Sequence, residues 1–141
     1  MGAIVAGVDG SEPSRRALRW ALAEASMRGS EVLAVHVWRF HPLSYAGAVA
    51  APVLAAGDLE AAAHTLLDQE VDAAVAEAAG RPAVERVVAE GAPAEQLVKL
   101  AAGADLLVVG HRGHGGFPSL LLGSVAQQCS THASCPVVIL R

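Results

Sequence analysis

Residues 105–125 read DLLVVGHRGHGGFPSLLLGSV, and this stretch decides the predicted fold. Residues 106–109 form an apolar run between an aspartate and a glycine, which favours a short strand buried on both faces. A glycine-rich loop follows, and a new helix is predicted to begin at Gly123-Ser124. Glycines let the backbone approach an anion, and the first amides of a helix attract negative charge. The stretch therefore predicts a strand, a loop and a helix start that together bind phosphate, with Ser124 adding a hydroxyl.

Strand and helix patterns alternate along the rest of the chain. Strands are predicted over 3–8, 32–38, 84–89, 106–109 and 136–140, and helices between Ser11 and Gly29, over 59–79, between Pro93 and Gly103, and over 125–133. Such alternation predicts a parallel sheet with helices on both faces and right-handed crossovers. Glu85 and Arg86 in the third strand indicate a position near the sheet edge. Residues 39–58 lack any period and are predicted to be a long connection or a mobile lid.

Two predicted strands end in residues suited to a binding site. Asp9-Gly10 follows the first strand, and Gly110 follows the fourth. Ligands of such sheets bind beyond the carboxyl ends of the strands, where the strand order reverses. If the first and fourth strands are neighbours, one crevice contains both positions. The alternative for Asp9 is a purely structural one, in which its carboxylate caps the helix that starts near Ser11.

Composition limits the classes of protein that fit. The chain has 141 residues, 53% hydrophobic and 17% charged, which predicts one compact domain over 1–141 rather than a disordered chain. Its apolar runs are far shorter than the roughly 20 residues of a membrane span. The start of the sequence has no positively charged leader, so we expect a cytoplasmic protein. The net charge is −4 and Lys99 is the only lysine, so no basic face for nucleic acid is predicted.

The cysteines allow two interpretations. Cys129 and Cys135 are the only cysteines, and His132 lies between them. A zinc site there would lack a fourth ligand at the usual spacing. The simpler interpretation is a pair of reduced structural thiols, one on a helix face and one at the entry to the last strand.

Motifs of efficient catalysis are missing from the sequence. It contains no Gly-Lys-Ser/Thr of a P-loop and no Gly-x-Ser-x-Gly nucleophile elbow. A hydrolase would need a group that orients water at a γ-phosphate, and His111 or His114 could be asked to do so, but nothing in the sequence fixes either ring. We therefore predict a protein that is not an enzyme, with slow ATP turnover as the most that this site could support.

Several sequence blocks resemble one family. The spacing Gly110-x2-Gly113-x9-Gly123-Ser124 is similar to the nucleotide-binding signature of universal stress proteins. The blocks VDGSEPSRRAL, His36-Val37, GAPAEQLVKLAAGADLLVVG and CPVVIL resemble the same family in the same order. The resemblance covers the chain apart from residues 39–58. It implies a single-domain, ATP-binding universal stress protein.

The resemblance also implies an architecture and a partner. The fold would be a three-layer, doubly wound, five-stranded parallel sheet in the order 3-2-1-4-5, of the adenine nucleotide alpha hydrolase-like type. The protein would be a homodimer paired through the last strand, with Val137, Val138, Ile139 and Leu140 at the interface. An apolar strand near the C-terminus would otherwise leave an exposed edge, and a two-fold axis would cover it.

Site residues follow from the resemblance by position. Asp9 would hold the ribose hydroxyls or a metal-bound water, and no other protein ligand for a metal is implied. The adenine would be framed by Gly7, Val8 and Val37. The ribose would lie near Val109 and Gly110. The phosphates would be surrounded by Arg112, Gly113, Gly123, Ser124 and Val125. With His111 and His114 neutral, Arg112 is the permanent cation of the loop. Triphosphate carries close to four negative charges, so Mg²⁺ is expected as a cofactor of ATP.

Three functions are compatible with the sequence. The first is an ATP-binding, homodimeric regulatory module of the stress response. The second is an interaction protein of the same fold that does not bind nucleotide, which the histidine pair and the scarcity of cations in the loop would suit. The third is a slow ATP hydrolase or an adenylate-transferring enzyme, which rests on analogy of fold alone. The sequence names neither the stress nor the downstream partner.

Overall fold

The computed structural model describes residues 2–39, 56–113 and 121–141. Strands and helices alternate through these residues. They are β1 (Ala3–Gly7), α1 (Glu12–Arg28), β2 (Glu31–Trp38), α2 (Ala56–Glu77), β3 (Val84–Glu90), α3 (Pro93–Leu100), β4 (Leu106–Gly110), α4 (Ser124–His132) and β5 (Val137–Leu140). The alternation predicted from the sequence is confirmed.

The five strands form one parallel sheet in the order β3-β2-β1-β4-β5, as predicted. The order reverses at β1, which lies between β2 and β4. Val5 of β1 pairs with Leu33 of β2 and with Leu107 of β4. The first and fourth strands are therefore neighbours, and their carboxyl ends open onto the same edge of the sheet.

Helices cover both faces of the sheet and bury a separate core on each. Alternate residues of a strand point to opposite faces, so β1 contributes Ile4 and Ala6 to one core and Val5 to the other. The first core lies under α1 and α2 and contains Leu18, Leu22, Leu67 and Val71 among its members. The second lies under α3 and α4 and contains Leu97, Leu107, Ala126 and Cys129. This is the predicted three-layer architecture.

The helix ends follow the capping residues read from the sequence. Ser11 is the N-cap of α1, where its hydroxyl accepts a hydrogen bond from Ser14 N, and Gly29 ends that helix with a φ of 69°. The bounds of α2 differ from those predicted: the helix runs over Ala56–Glu77, so Gly57 and Asp58 belong to the helix and not to the connection, and residues 78–79 lie beyond its end. The rest of that connection, residues 40–55, lies outside the described residues, as does the proposed role of residues 39–58 as a lid.

The two edge strands differ in chemistry. β3 lies at one edge, as predicted, with Glu85 and Arg86 exposed. Arg86 Nη1 lies 2.8 Å from Asp68 Oδ1 and Nη2 lies 2.6 Å from Asp72 Oδ1, and these hydrogen bonds raise the pKa of the guanidinium. β5 forms the other edge with four half-buried apolar residues. Its pairing with a second copy stays a prediction. None of the described helices is long and apolar enough to span a membrane.

Candidate functional site

A cleft of about 380 Å³ opens where the strand order reverses. It lies beyond the ends of β1, β2 and β4 and beside the starts of α1, α3 and α4. All the residues predicted for the site line it: Gly7, Val8, Asp9, Val37, Val109, Gly110, Arg112, Gly113, Gly123, Ser124 and Val125. The structure thus brings the whole predicted set together. Their role in binding ATP stays a prediction.

The cleft also has lining residues that the sequence analysis missed: Ser14, Val35, His36, Pro93, Leu97 and Ala126. The period of two in β2 was the available signal for Val35, because Val35 and Val37 point to the same face. Leu97 of α3 is a core residue at 4% exposure, and it also forms an apolar wall of the cleft.

Gly110 allows β4 to end directly against α1. A Cβ at this position would lie 2.7 Å from both the carbonyl carbon and the Cβ of Pro13, and 2.9 Å from Ser14 N. These distances are too short for any side chain, and most of the atoms concerned belong to the backbone. The glycine therefore joins the end of β4 to the first turn of α1, on the same side of the cleft as Asp9.

Asp9 uses its two carboxylate oxygens differently. Oδ1 accepts hydrogen bonds from Ser11 N at 2.8 Å and from Ser11 Oγ at 2.5 Å. The structural alternative for Asp9 is thus partly right, since one oxygen holds the turn that starts α1. Oδ2 faces the glycine loop, because a Cβ built on Gly113 would overlap it. Gly113 therefore lets the loop approach the carboxylate, and Oδ2 remains directed at the cleft.

The start of α4 provides backbone donors. Its N-cap is Gly123, with extended backbone (φ −71°, ψ 164°), and no acidic residue lies in the first turn. Gly123 N donates to the carbonyl oxygen of His111 at 2.7 Å, which holds the helix start against the end of β4. A glycine N-cap offers no side chain to the first amides of the helix. The amides at Ser124 and Val125 therefore adjoin the cleft, together with the positive end of the helix dipole.

The histidines near the cleft are held by backbone carbonyls. His111 N donates to Leu140 O at 2.6 Å, and the ring Nδ1 lies 3.3 Å from the same oxygen. This contact with β5 was not visible in the sequence. His114 lies outside the described residues. His36 Nδ1 lies 2.7 Å from Val8 O, and the ring is half-buried at the border of the cleft.

The cysteines lie away from the cleft. Cys129 is fully buried in α4, and burial raises the pKa of its thiol to about 11. Cys135 is half-buried just before β5, and burial raises its pKa as well. Both thiols are free. Within residues 2–39, 56–113 and 121–141, no three His, Cys, Asp or Glu side chains come together as a metal site.

Sheet order and cleft define the class of the protein. A five-stranded parallel sheet in the order 3-2-1-4-5, with a glycine-lined cleft beyond β1 and β4, is the adenine nucleotide alpha hydrolase-like fold. The model of the universal stress protein family matches residues 1–141. The chain belongs to the universal stress protein family.

Two similar curated proteins come from Mycobacterium tuberculosis. Universal stress protein Rv2005c of Mycobacterium tuberculosis is 37% identical over 138 residues, which cover 98% of this chain and 45% of that protein. Universal stress protein Rv2623 of the same organism is 34% identical over 138 residues, covering 98% of this chain and 44% of that protein. The chain thus spans less than half the length of these relatives.

Solved structures share the fold over the full chain. A universal stress protein in complex with cAMP has a TM-score of 0.75 and 27% sequence identity, covering 99% of this chain and 97% of that one. UspA from Lactobacillus plantarum has a TM-score of 0.78 and 20% identity, with coverages of 99% and 97%. The second likeness shows the fold alone.

Proposed function

We propose that this chain binds ATP with Mg²⁺ in the cleft and acts as a nucleotide-dependent regulatory module. The observation that carries the proposal is the juxtaposition of the open start of α4 with the Asp9 carboxylate, across Gly113. One part of the cleft offers donors to an anion, and the part opposite offers an acceptor to hydroxyls or to a hydrated cation. A nucleoside polyphosphate carries both groups on one molecule.

The part of the cleft at the start of α4, where we propose that the phosphates bind, offers mainly backbone donors. The first amides of α4 and the positive end of its dipole favour an anion without further side chains. Among the described lining residues, Arg112 is the single lysine or arginine. One guanidinium and a helix start balance only part of a triphosphate's charge. Mg²⁺ would supply the remainder, held by the phosphates and reached from Asp9 through water.

The base end rests on apolar side chains. The cleft has an apolar wall made of Val35, Val37, Leu97 and Val109. A cleft of about 380 Å³ falls within the range of small-molecule sites, which are mostly apolar with a few placed polar groups. The universal stress protein whose structure contains cAMP is 27% identical to this chain, which supports an adenine nucleotide as the ligand.

We further propose a regulatory role rather than efficient catalysis. Among the described lining residues, Asp9 is the single carboxylate, and it is engaged with Ser11 through one oxygen. His111, whose ring contacts Leu140 O, is not part of the lining. Hydrolysis would require a group that orients water at the γ-phosphate. Turnover is therefore expected to be slow, and occupancy of the cleft is expected to be the signal.

Further parts of the proposal concern the assembled protein. We propose a cytoplasmic homodimer that pairs through Val137–Leu140 and acts in a stress response. The support for pairing is the position of β5 at an open edge with apolar, half-buried residues. Sedimentation at micromolar concentration is expected to show a dimer, and a monomer would contradict the pairing.

Titration calorimetry with ATP in the presence of Mg²⁺ tests the binding. The wild-type chain is expected to bind, and Gly113→Val is expected to lose binding, because its side chain would displace the Asp9 carboxylate. Equal affinity of the two proteins would contradict the proposed site. Absence of binding, with no adenine nucleotide in acid extracts of gently purified protein, would favour the interaction protein that does not bind nucleotide.

A further inference from the structure

The backbone hydrogen bonds between β1 and β2 end at Val8, one bond short of Val37. Gly7 and Val35 are the last paired residues, and Val8 N donates to Val35 O at 2.8 Å just beyond them. In a parallel ladder the next bond would run from the N–H of Val37 to the carbonyl of Val8, because one residue both donates to and accepts from the facing strand. That bond is not made between these two described residues.

The imidazole of His36 takes the place of the missing bond. Its Nδ1 lies 2.7 Å from the carbonyl oxygen of Val8. A carbonyl can only accept, so Nδ1 carries the hydrogen. Val8 is 4% exposed, and its carbonyl therefore needs a partner within the protein. The ring satisfies this carbonyl and leaves Val37 N–H without its ladder acceptor.

Val37 consequently presents an open backbone edge to the cleft. Its N–H and C=O point toward the side of β2 where β1 has already ended, and Val37 lines the cleft. A donor beside an acceptor complements the N1 acceptor and the 6-amino donor of adenine. Hypoxanthine, the base of inosine, has an N1–H donor and an O6 acceptor, so it presents the opposite pattern to the same edge.

We propose that His36 is a positioning residue for base specificity. By holding the carbonyl of Val8, it keeps the N–H and C=O of Val37 available to read the nucleobase. The inference rests on the proposed nucleotide binding and adds to it the residue that makes the cleft bind adenine in preference to hypoxanthine. His36 itself need not touch the ligand, since its effect acts through Val8 and Val37.

Two substitutions separate this role from general packing. His36→Leu removes the donor, so Val37 N–H is expected to close onto Val8 O. His36→Asn keeps a donor, because the asparagine amide nitrogen occupies a position similar to that of Nδ1. The measured quantity is the ratio of ATP affinity to ITP affinity. Loss of one hydrogen bond predicts a roughly three- to tenfold fall of this ratio in H36L, and H36N is expected to restore most of it.

Amide hydrogen exchange provides a readout without ligand. The Val37 amide is expected to exchange fast in the wild-type protein and in H36N, and more slowly in H36L, where it gains an acceptor. His36→Val carries the same expectation if H36L does not fold, since valine suits a strand and cannot donate.

The outcomes are distinguishable. An H36L protein that binds ATP with an unchanged ATP-to-ITP ratio would overturn the role of His36 and leave ATP binding standing. A slowly exchanging Val37 amide in the wild-type protein would overturn the open edge directly. A wild-type chain that binds neither nucleotide would overturn the proposed function, and with it the base-reading role.

Discussion

The starts of α1 and α4 adjoin the same cleft, yet they differ in how their first amides are used. At α1, Ser11 Oγ accepts from Ser14 N at 3.3 Å, Asp9 Oδ1 accepts from Ser11 N at 2.8 Å, and Glu12 adds a negative charge to the first turn. At α4, the N-cap is Gly123 and the first turn holds no acidic residue. One helix start is closed by its own side chains, and the other, which no side chain of the described residues caps, is called open.

The difference indicates which end of the cleft takes an anion. A helix start that already has a capping hydroxyl and a neighbouring carboxylate has little left to offer a phosphate, and its negative charges repel one. A helix start capped by glycine offers both its amides and its dipole. The phosphates are therefore expected at α4, and the sugar or a hydrated cation at Asp9 beside α1. The following substitutions test this division.

Gly123→Asp should have the largest effect, because it gives α4 the kind of start that α1 has. The backbone dihedral angles at Gly123 suit any residue, and a Cβ there would lie in tight contact with Arg112 Cα at 3.3 Å. The new carboxylate would cap the first amides and repel phosphate, so ATP affinity is expected to fall at least about 100-fold, while thermal stability stays equal or rises. Calorimetry and thermal unfolding measure the two quantities.

Gly123→Ala is the matched control for that variant. Both substitutions add a Cβ 3.3 Å from Arg112 Cα, and only aspartate adds a charge and a cap. The alanine variant is expected to lose less than about tenfold in affinity, the equivalent of a single weakened hydrogen bond. If the two variants bound ATP equally weakly, bulk and not the open helix start would explain the loss.

Gly113→Ala should have the next largest effect. Its methyl group would overlap Asp9 Oδ2, so the carboxylate must shift from its present position. Losing a charge-assisted hydrogen bond predicts a fall of about 30-fold in ATP affinity. Gly57→Ala is the control, since its Cβ meets nothing within 4 Å on α2. Fluorescence titration that finds Gly113→Ala as tight as Gly57→Ala would show that the loop need not approach Asp9.

Asp9→Asn should have a smaller effect that depends on Mg²⁺. The asparagine oxygen can still accept from Ser11, so the turn survives while the negative charge is lost. We expect about tenfold weaker binding of ATP with Mg²⁺ and unchanged or tighter binding in EDTA, where the carboxylate meets no cation and repels the triphosphate. Titrations under both conditions measure the difference. An equal loss with and without Mg²⁺ would argue against a role for Asp9 toward the cation.

Ser11→Ala should have the smallest effect on binding. It removes the capping hydroxyl of α1 and is expected to lower the free energy of unfolding by about 1 kcal/mol. Because the closed helix start is not assigned to the phosphates, ATP affinity should stay within about twofold. Urea unfolding and calorimetry give the two values. A large loss of affinity in a stably folded variant would place the anion at α1 instead.

The sequence predicted the parts of the fold that local chemistry determines. Apolar runs placed all five strands, and Ser11 and Gly29 placed both ends of α1. The start of α2 was missed because Gly57 and the alanines before it give no capping signal, although the helix includes Ala56. Order 3-2-1-4-5 came from family resemblance, since the runs alone leave strand order open.

The site was predictable where glycines and charges mark it, and not where tertiary position decides. Gly110 and Gly113 are visible in the sequence, and the structure shows which atoms require them. The sequence could not predict that one oxygen of Asp9 binds Ser11 while the other faces the glycine loop, because this depends on the positions of Ser11 and the loop in the folded chain. Likewise, a histidine in an apolar strand predicts a hydrogen-bonded ring. Only the structure shows that the backbone hydrogen bonds between β1 and β2 end at Val8, where His36 binds the carbonyl and the N–H of Val37 is left without this acceptor.

Backbone amide shifts of the ¹⁵N-labelled chain, followed during titration with ATP and Mg²⁺, test the division between the two helix starts most directly. The account predicts saturable shifts that are largest at Gly113, Ser124 and Val125, with smaller changes at Ser11 and Ser14. Larger shifts at Ser11 and Ser14 than at Ser124 and Val125, or no shift at any of these amides, would contradict it.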